Sequence, residues 1–157
     1  MNLAVAISRP LYAMERLLAS LQPLLALAVR LWVGWQFFKS GLVKVGDWEN
    51  TLFLFRNEYH TPLLSPEIAA VAGATGELLF PVLLWLGVFG RLSAVGLLAV
   101  NVMAVVAYAD VLLSSGFEAA LAQHYLWGFM LIVLAIYGPG RLSADELFLS
   151  RWLDRQP

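Results

Sequence analysis

The sequence predicts an all-α integral membrane protein: a four-helix bundle with amphipathic interfacial helices at the N-terminus, in the first loop and at the C-terminus. Three observations predict it. Of 157 residues, 61% are hydrophobic and only 13% charged, against about a quarter charged in soluble domains, and the mean hydropathy is +0.75. Four apolar runs are each long enough to cross the hydrocarbon core, which takes about 20 residues. None of them alternates apolar and polar residues over strand-like lengths, which argues against a membrane barrel.

The elements follow in order within one expected domain, residues 1–157. "SRPLYAMERLLASLQP" offers Ser8 as N-cap, Pro10 in the first turn and a stripe of Leu11, Met14, Leu17, Leu18 and Leu21 closed by Pro23, so it predicts a helix lying on the membrane. The N-terminus is expected to be retained, because Glu15 and Arg16 precede a run too long for a cleaved leader. The first span runs from Pro23 to Val45. In "DWENTLFLFRNEYHTP", Trp48, Leu52, Phe55 and Tyr59 recur at helical spacing opposite Glu49, Arg56 and Asn57, which predicts a first-loop cap resting on the bilayer.

The second span is Ile68 to Phe89, the third Leu92 to Leu113 and the fourth Phe117 to Tyr137. "GVFGR" and "SSG" punctuate the short turns between them, and "GPGR" closes the fourth. Connections this short make the last three spans antiparallel neighbours. Ser143 precedes Glu146 by one helical turn, a capping box that predicts a C-terminal helix carrying Leu149, Trp152 and Leu153. Arg9, Arg16, Arg91, Arg141, Arg151 and Arg155 fall on one side, against Lys39, Lys44 and Arg56 on the other. That bias predicts both termini in the cytoplasm.

Composition also excludes function classes. A formal charge of −1 gives no reason to expect nucleic acid as a partner. With no cysteine the chain has no thiol relay, iron–sulfur cluster or thiolate zinc site of its own. His60 and His124 are the two histidines, neither at mid-span, so no haem is expected. Asp110 and His124 flank the short outer turn and are expected to meet there. As two ligands alone they suit a hydrogen bond better than a metal site.

Ionisable groups inside the spans carry the functional question. Arg30 falls near the middle of the first span and Glu77 near the middle of the second. Each is costly in hydrocarbon unless paired or wet, so the two are expected to form a mutual pair. Arg30, Gly34, Phe37, Gly41 and Lys44 share one face of the first helix, and Ala70, Gly73, Ala74, Glu77 and Pro81 share one of the second. Pro81 frees the Glu77 carbonyl from its helical bond. Asn101 is the mid-span amide of the third helix and is expected to face the same interior. Lys39 lies off the Arg30 face and can snorkel to the headgroups. On one reading the charged pair is helix-to-helix glue. On the other, with Asn101, Trp32, Trp35 and Phe38, it lines a pocket for a quinone, whose carbonyls accept hydrogen bonds and whose ring stacks on aromatics.

"RLWVGWQFFKSGLVKVGDW", "GELLFPVLLWLGVFGRLSA" and "YGPGRLSADEL", in that order, resemble the DoxX family of small bacterial membrane proteins. The positions carrying the resemblance are Arg30, Gly34, Gly41, Lys44, Glu77, Arg91, Gly138, Gly140, Arg141, Ser143 and Asp145. Many relatives carry a histidine at the end of the third helix, where this chain reads "AYADVL". The segment "DWENTLFLFRNEY" looks like a subgroup linked to metal stress. The resemblance implies an accessory or binding subunit of a membrane redox or metal/oxidative-stress system, working with protein partners in the bacterial cytoplasmic (inner) membrane. Two alternatives stand beside it: a quinone-reducing oxidoreductase subunit, and a small transporter or scaffold, a transporter of four spans needing to form a homo-oligomer.

Overall fold

A computed structural model of the chain describes the backbone of residues 3–153 and the side chains of residues 11–148 and Arg151. The described residues are helical and turn-connected, without strands. The helices are α1 (Leu3–Gly46), α2 (Trp48–Asn57), α3 (Pro66–Leu86), α4 (Gly90–Ala107), α5 (Ala109–Leu112), α6 (Glu118–Tyr137) and α7 (Ala144–Leu153). Four of them, α1, α3, α4 and α6, are long and apolar enough to cross a membrane. They pack in a ring, α1 on α3, α3 on α4, α4 on α6 and α6 back on α1. Val33 and Phe37 of α1, Leu84 of α3, Ala94 and Leu97 of α4, and Leu131 and Leu134 of α6 meet in the shared core.

Local chemistry explains the helix ends. Ser65 Oγ accepts the amide of Ile68 ahead of Pro66 at the start of α3, and Asp47 caps α2 through Asn50. Gly87 ends α3 in the left-handed region at φ 67°, where the amide of Val88 returns to the Leu83 carbonyl.

Three elements differ from the sequence expectation. Pro23 does not close a separate interfacial helix: α1 runs through it for 44 residues, about 66 Å at 1.5 Å per residue, with Leu11, Met14, Leu17, Leu18 and Leu21 exposed along its first part. The side chains of Ser8, Arg9 and Pro10 lie outside the described residues, as do those of Leu149, Trp152 and Leu153 and the whole of Arg155. The third long helix stops at Ala107 rather than Leu113, breaking at Tyr108 before the single turn α5. The first-loop helix turns its stripe inward: Trp48, Leu52, Phe55 and Tyr59 pack on Ala69 and Ala70 of α3, because residues that small leave a groove that aromatic rings fill.

Candidate functional site

Small residues set how α1 and α3 meet. A Cβ on Gly34 would lie 2.3 Å from Trp85 Nε1, and one on Gly41 would lie 2.8 Å from Leu78 Cγ, so both glycines admit a close antiparallel approach. The two contacts also fix the register: seven residues forward on α1 correspond to seven back on α3. Glu77 is thereby level with Leu42, twelve residues beyond Arg30, which is about 18 Å along the helix axis. Arg30 and Glu77 consequently do not pair. The Arg30 guanidinium lies instead against Gly87, where a Cβ would clash with its Nη1.

Glu77 pairs with Lys44. Lys44 Nζ donates to Oε1 at 2.8 Å and Oε2 at 2.7 Å, and to Ser40 Oγ at 3.0 Å. Thr51 of α2 donates its hydroxyl to the Lys44 carbonyl at 2.9 Å, tying the first-loop helix down beside the pair. Glu77 is buried and Lys44 nearly so, a geometry in which each charge depends on the other for solvation. Nearby, Tyr59 stacks edge-on against Phe55 and Tyr108. Burial, seconded by the negative potential around it, holds the Tyr59 phenol above its usual ionisation range.

Arg30 belongs to a second cluster at the opposite end of the bundle. It is completely buried and donates through Nη2 to the carbonyl of Leu142, leaving Nε and Nη1 without hydrogen-bond partners. Leu142 lies in the "GPGRLSADE" segment, which folds back over the α3–α4 turn. Asp145 there accepts the amides of Phe89 at 2.9 Å and Gly90 at 2.7 Å, so it caps the N-terminus of α4 from more than fifty residues away in sequence. Its own amide donates to the Gly87 carbonyl at 3.0 Å. Ser143 Oγ donates to the Gly140 carbonyl and accepts the amide of Glu146, starting α7. Gly140 passes so close to α1 that a Cβ would lie 2.9 Å from Ala26 Cβ.

The remaining candidates separate. Asn101 is buried and binds His124 twice, through Nδ2 to its carbonyl at 3.0 Å and through Oδ1 to its ring Nδ1 at 2.8 Å. Since Nδ2 is the donor of that amide, Oδ1 is the acceptor, so the His124 proton sits on Nδ1. The expected Asp110–His124 contact is absent: Asp110 lies 3.4 Å from His60, both exposed. Among the described residues no three metal-ligating side chains cluster. Trp32 and Trp35 point outward, about half exposed, rather than lining an interior pocket. Phe38 sits between Trp35 and Trp85, with ring centroids 6.4 and 5.0 Å away.

Comparison with known proteins adds a family to this geometry. The DoxX family model matches residues 25–110. The chain belongs to the DoxX family. An uncharacterized protein of Haemophilus influenzae is similar to it, 30% identical over 126 residues that cover 77% of this chain and 81% of the relative. No solved structure matches. The DoxX match takes in Arg30, Lys44, Glu77, Asn101 and Arg91 and ends before the "GPGRLSADE" segment, yet it is that segment that holds Arg30 and the start of α4.

Sequence reasoning missed the Asp145 cap, although a signal existed. The residues before α4, "GVFG", contain no Ser, Thr, Asp or Asn, and Phe89 itself adopts φ 47° without a capping side chain. Exposed amide donors at that end required an acceptor from elsewhere. The Lys44–Glu77 pair was missed because Lys44, although on the Arg30 face, falls near the outer end of its run, whereas Glu77 falls near the middle of its own.

Proposed function

We propose that this DoxX protein is a non-catalytic accessory module of a larger membrane assembly in the bacterial inner membrane, with redox or metal and oxidative stress as its setting. The observation that carries the reading is that three polar side chains at the helix contacts are taken up by partners within the protein itself. Lys44 holds Glu77, Asn101 holds His124, and Asp145 caps α4. Groups committed to such contacts support a fixed scaffold more than a reacting centre. The six-to-three bias of basic residues supports cytoplasmic termini, and the absence of cysteine supports electrons, where any flow, being carried by a partner. Purification of the tagged chain in mild detergent, with cross-linking mass spectrometry, tests this. Stoichiometric membrane partners are expected; a chain that purifies alone and oxidises or reduces a quinone by itself overturns the reading.

A second reading, that the protein holds a quinone-like lipid, is favoured by Arg30, whose unpartnered Nε and Nη1 are donors suited to a ring carbonyl. Since Glu77 lies at another level, such a ligand belongs to the Arg30 end alone. Tryptophan fluorescence during titration with a short-chain quinone is expected to quench saturably in the wild type and not in Arg30→Met. Equal quenching in both, or none in either, removes the quinone.

A further inference from the structure

Where α4 begins and α6 finishes, a groove of about 490 Å³ is lined by Phe89, Arg91, Leu92, Tyr137, Arg141 and Glu146 among others. None of these side chains takes part in the Lys44–Glu77 pair or in the Asp145 cap. Arg91 and Arg141 are exposed and make no ion pair or side-chain hydrogen bond with any described residue. Asp145, on the same wall, is occupied by the Phe89 and Gly90 amides. Two donors at the N-terminus of α4, the Phe89 and Gly90 amides, are thus taken, and the two guanidinium groups are the charged donors that the groove offers to an anion. Ser143 lines the groove and packs against Gly87 beside Arg30, so a third, completely buried guanidinium with two unpartnered nitrogens lies close behind. Three cations against the carboxylates of Asp145 and Glu146 leave one net positive charge.

The groove's apolar flank says what kind of anion fits. Phe89, Leu92 and Tyr137 are 66%, 69% and 79% exposed, and they sit where the spans Gly90–Ala107 and Glu118–Tyr137 end. That is the level at which hydrocarbon gives way to headgroups, and where tyrosine and arginine are favoured. A free phosphate uses only the charges. A phospholipid uses both parts. The geometry points to a headgroup site for one phospholipid, its phosphodiester held by Arg91 and Arg141 and its acyl chains running down α4 and α6 from Leu92 and Tyr137. Concave basic sites between span ends are the surfaces on which single lipids are retained.

Native mass spectrometry of the full chain in detergent, titrated with phosphatidylglycerol, tests this. One lipid is expected to bind tightly to the wild type. Arg91→Gln and Arg141→Gln should each weaken it about fivefold, and together roughly 25-fold, from about 1 kcal/mol for each interfacial cation. Lys39→Gln, at an exposed cation elsewhere on the bundle, should leave it unchanged, and excess inorganic phosphate should not displace the lipid. Equal loss in Lys39→Gln would show diffuse attraction, displacement by phosphate would show a simple anion site, and undiminished binding to the double variant would show no site; each overturns the proposal. Should the double variant not fold, Arg141→Gln, in a turn outside the long helices, decides alone.

Discussion

Lys44 Nζ bridges both oxygens of Glu77, at 2.8 and 2.7 Å, across the α1–α3 interface. Removing one partner strands the other in a poorly solvated site, which costs about 3–5 kcal/mol, whereas replacing both by apolar residues is often neutral. Glu77→Leu and Lys44→Met should therefore each lower the unfolding midpoint in detergent. The double variant Lys44→Met, Glu77→Leu should recover most of the loss. If the two losses simply add, the residues are not coupled.

Asp145 holds two amides that no local residue caps. Asp145→Ala should cost about 1–3 kcal/mol, the worth of charge-assisted bonds to helix-terminal donors. Hydrogen exchange locates the effect. The amides of Phe89 and Gly90 should lose protection first, and residues 138–143 should become open to protease. Unchanged protection at those amides would contradict the cap.

Gly87 combines a positive φ with crowding by Arg30 and Ser143. Gly87→Ala should destabilise by about 2–4 kcal/mol, from the left-handed backbone together with overpacking. Shortening the obstacle distinguishes the two contributions. Added Arg30→Met should restore part of the stability, since the methionine can move its end away. No restoration at all would place the whole effect in the backbone.

Tyr59 has its ionisation raised by burial. A group whose folded-state pKa lies above its unfolded value, near 10 for tyrosine, contributes stability that is fully present below pH 10 and lost as pH rises through the folded value. Alkaline titration followed by tyrosinate absorbance should show one late component, and Tyr59→Phe should remove it. That variant should also flatten the fall of stability above pH 10. A titration curve identical in both proteins would exclude Tyr59 as the late component.

Much of this protein was legible in its sequence, because the bilayer allows few alternatives. Apolar run length specified four long helices, and residue spacing marked the buried faces Arg30, Gly34, Phe37, Gly41 on α1 and Ala70, Ala74, Glu77, Pro81 on α3. Ser143 was legible as a helix start because capping is a local interaction. What hydropathy could not supply was depth. Arg30 and Glu77 each sit near the middle of an apolar run, but α1 is far longer than a membrane requires, so the middles of α1 and α3 are not level. Close packing of Gly34 on Trp85 and Gly41 on Leu78 set the register, giving Glu77 to Lys44 and leaving Arg30 to the returning chain at Leu142. Periodicity along one helix says which face turns inward, and only the contact between helices decides which residues on those faces meet.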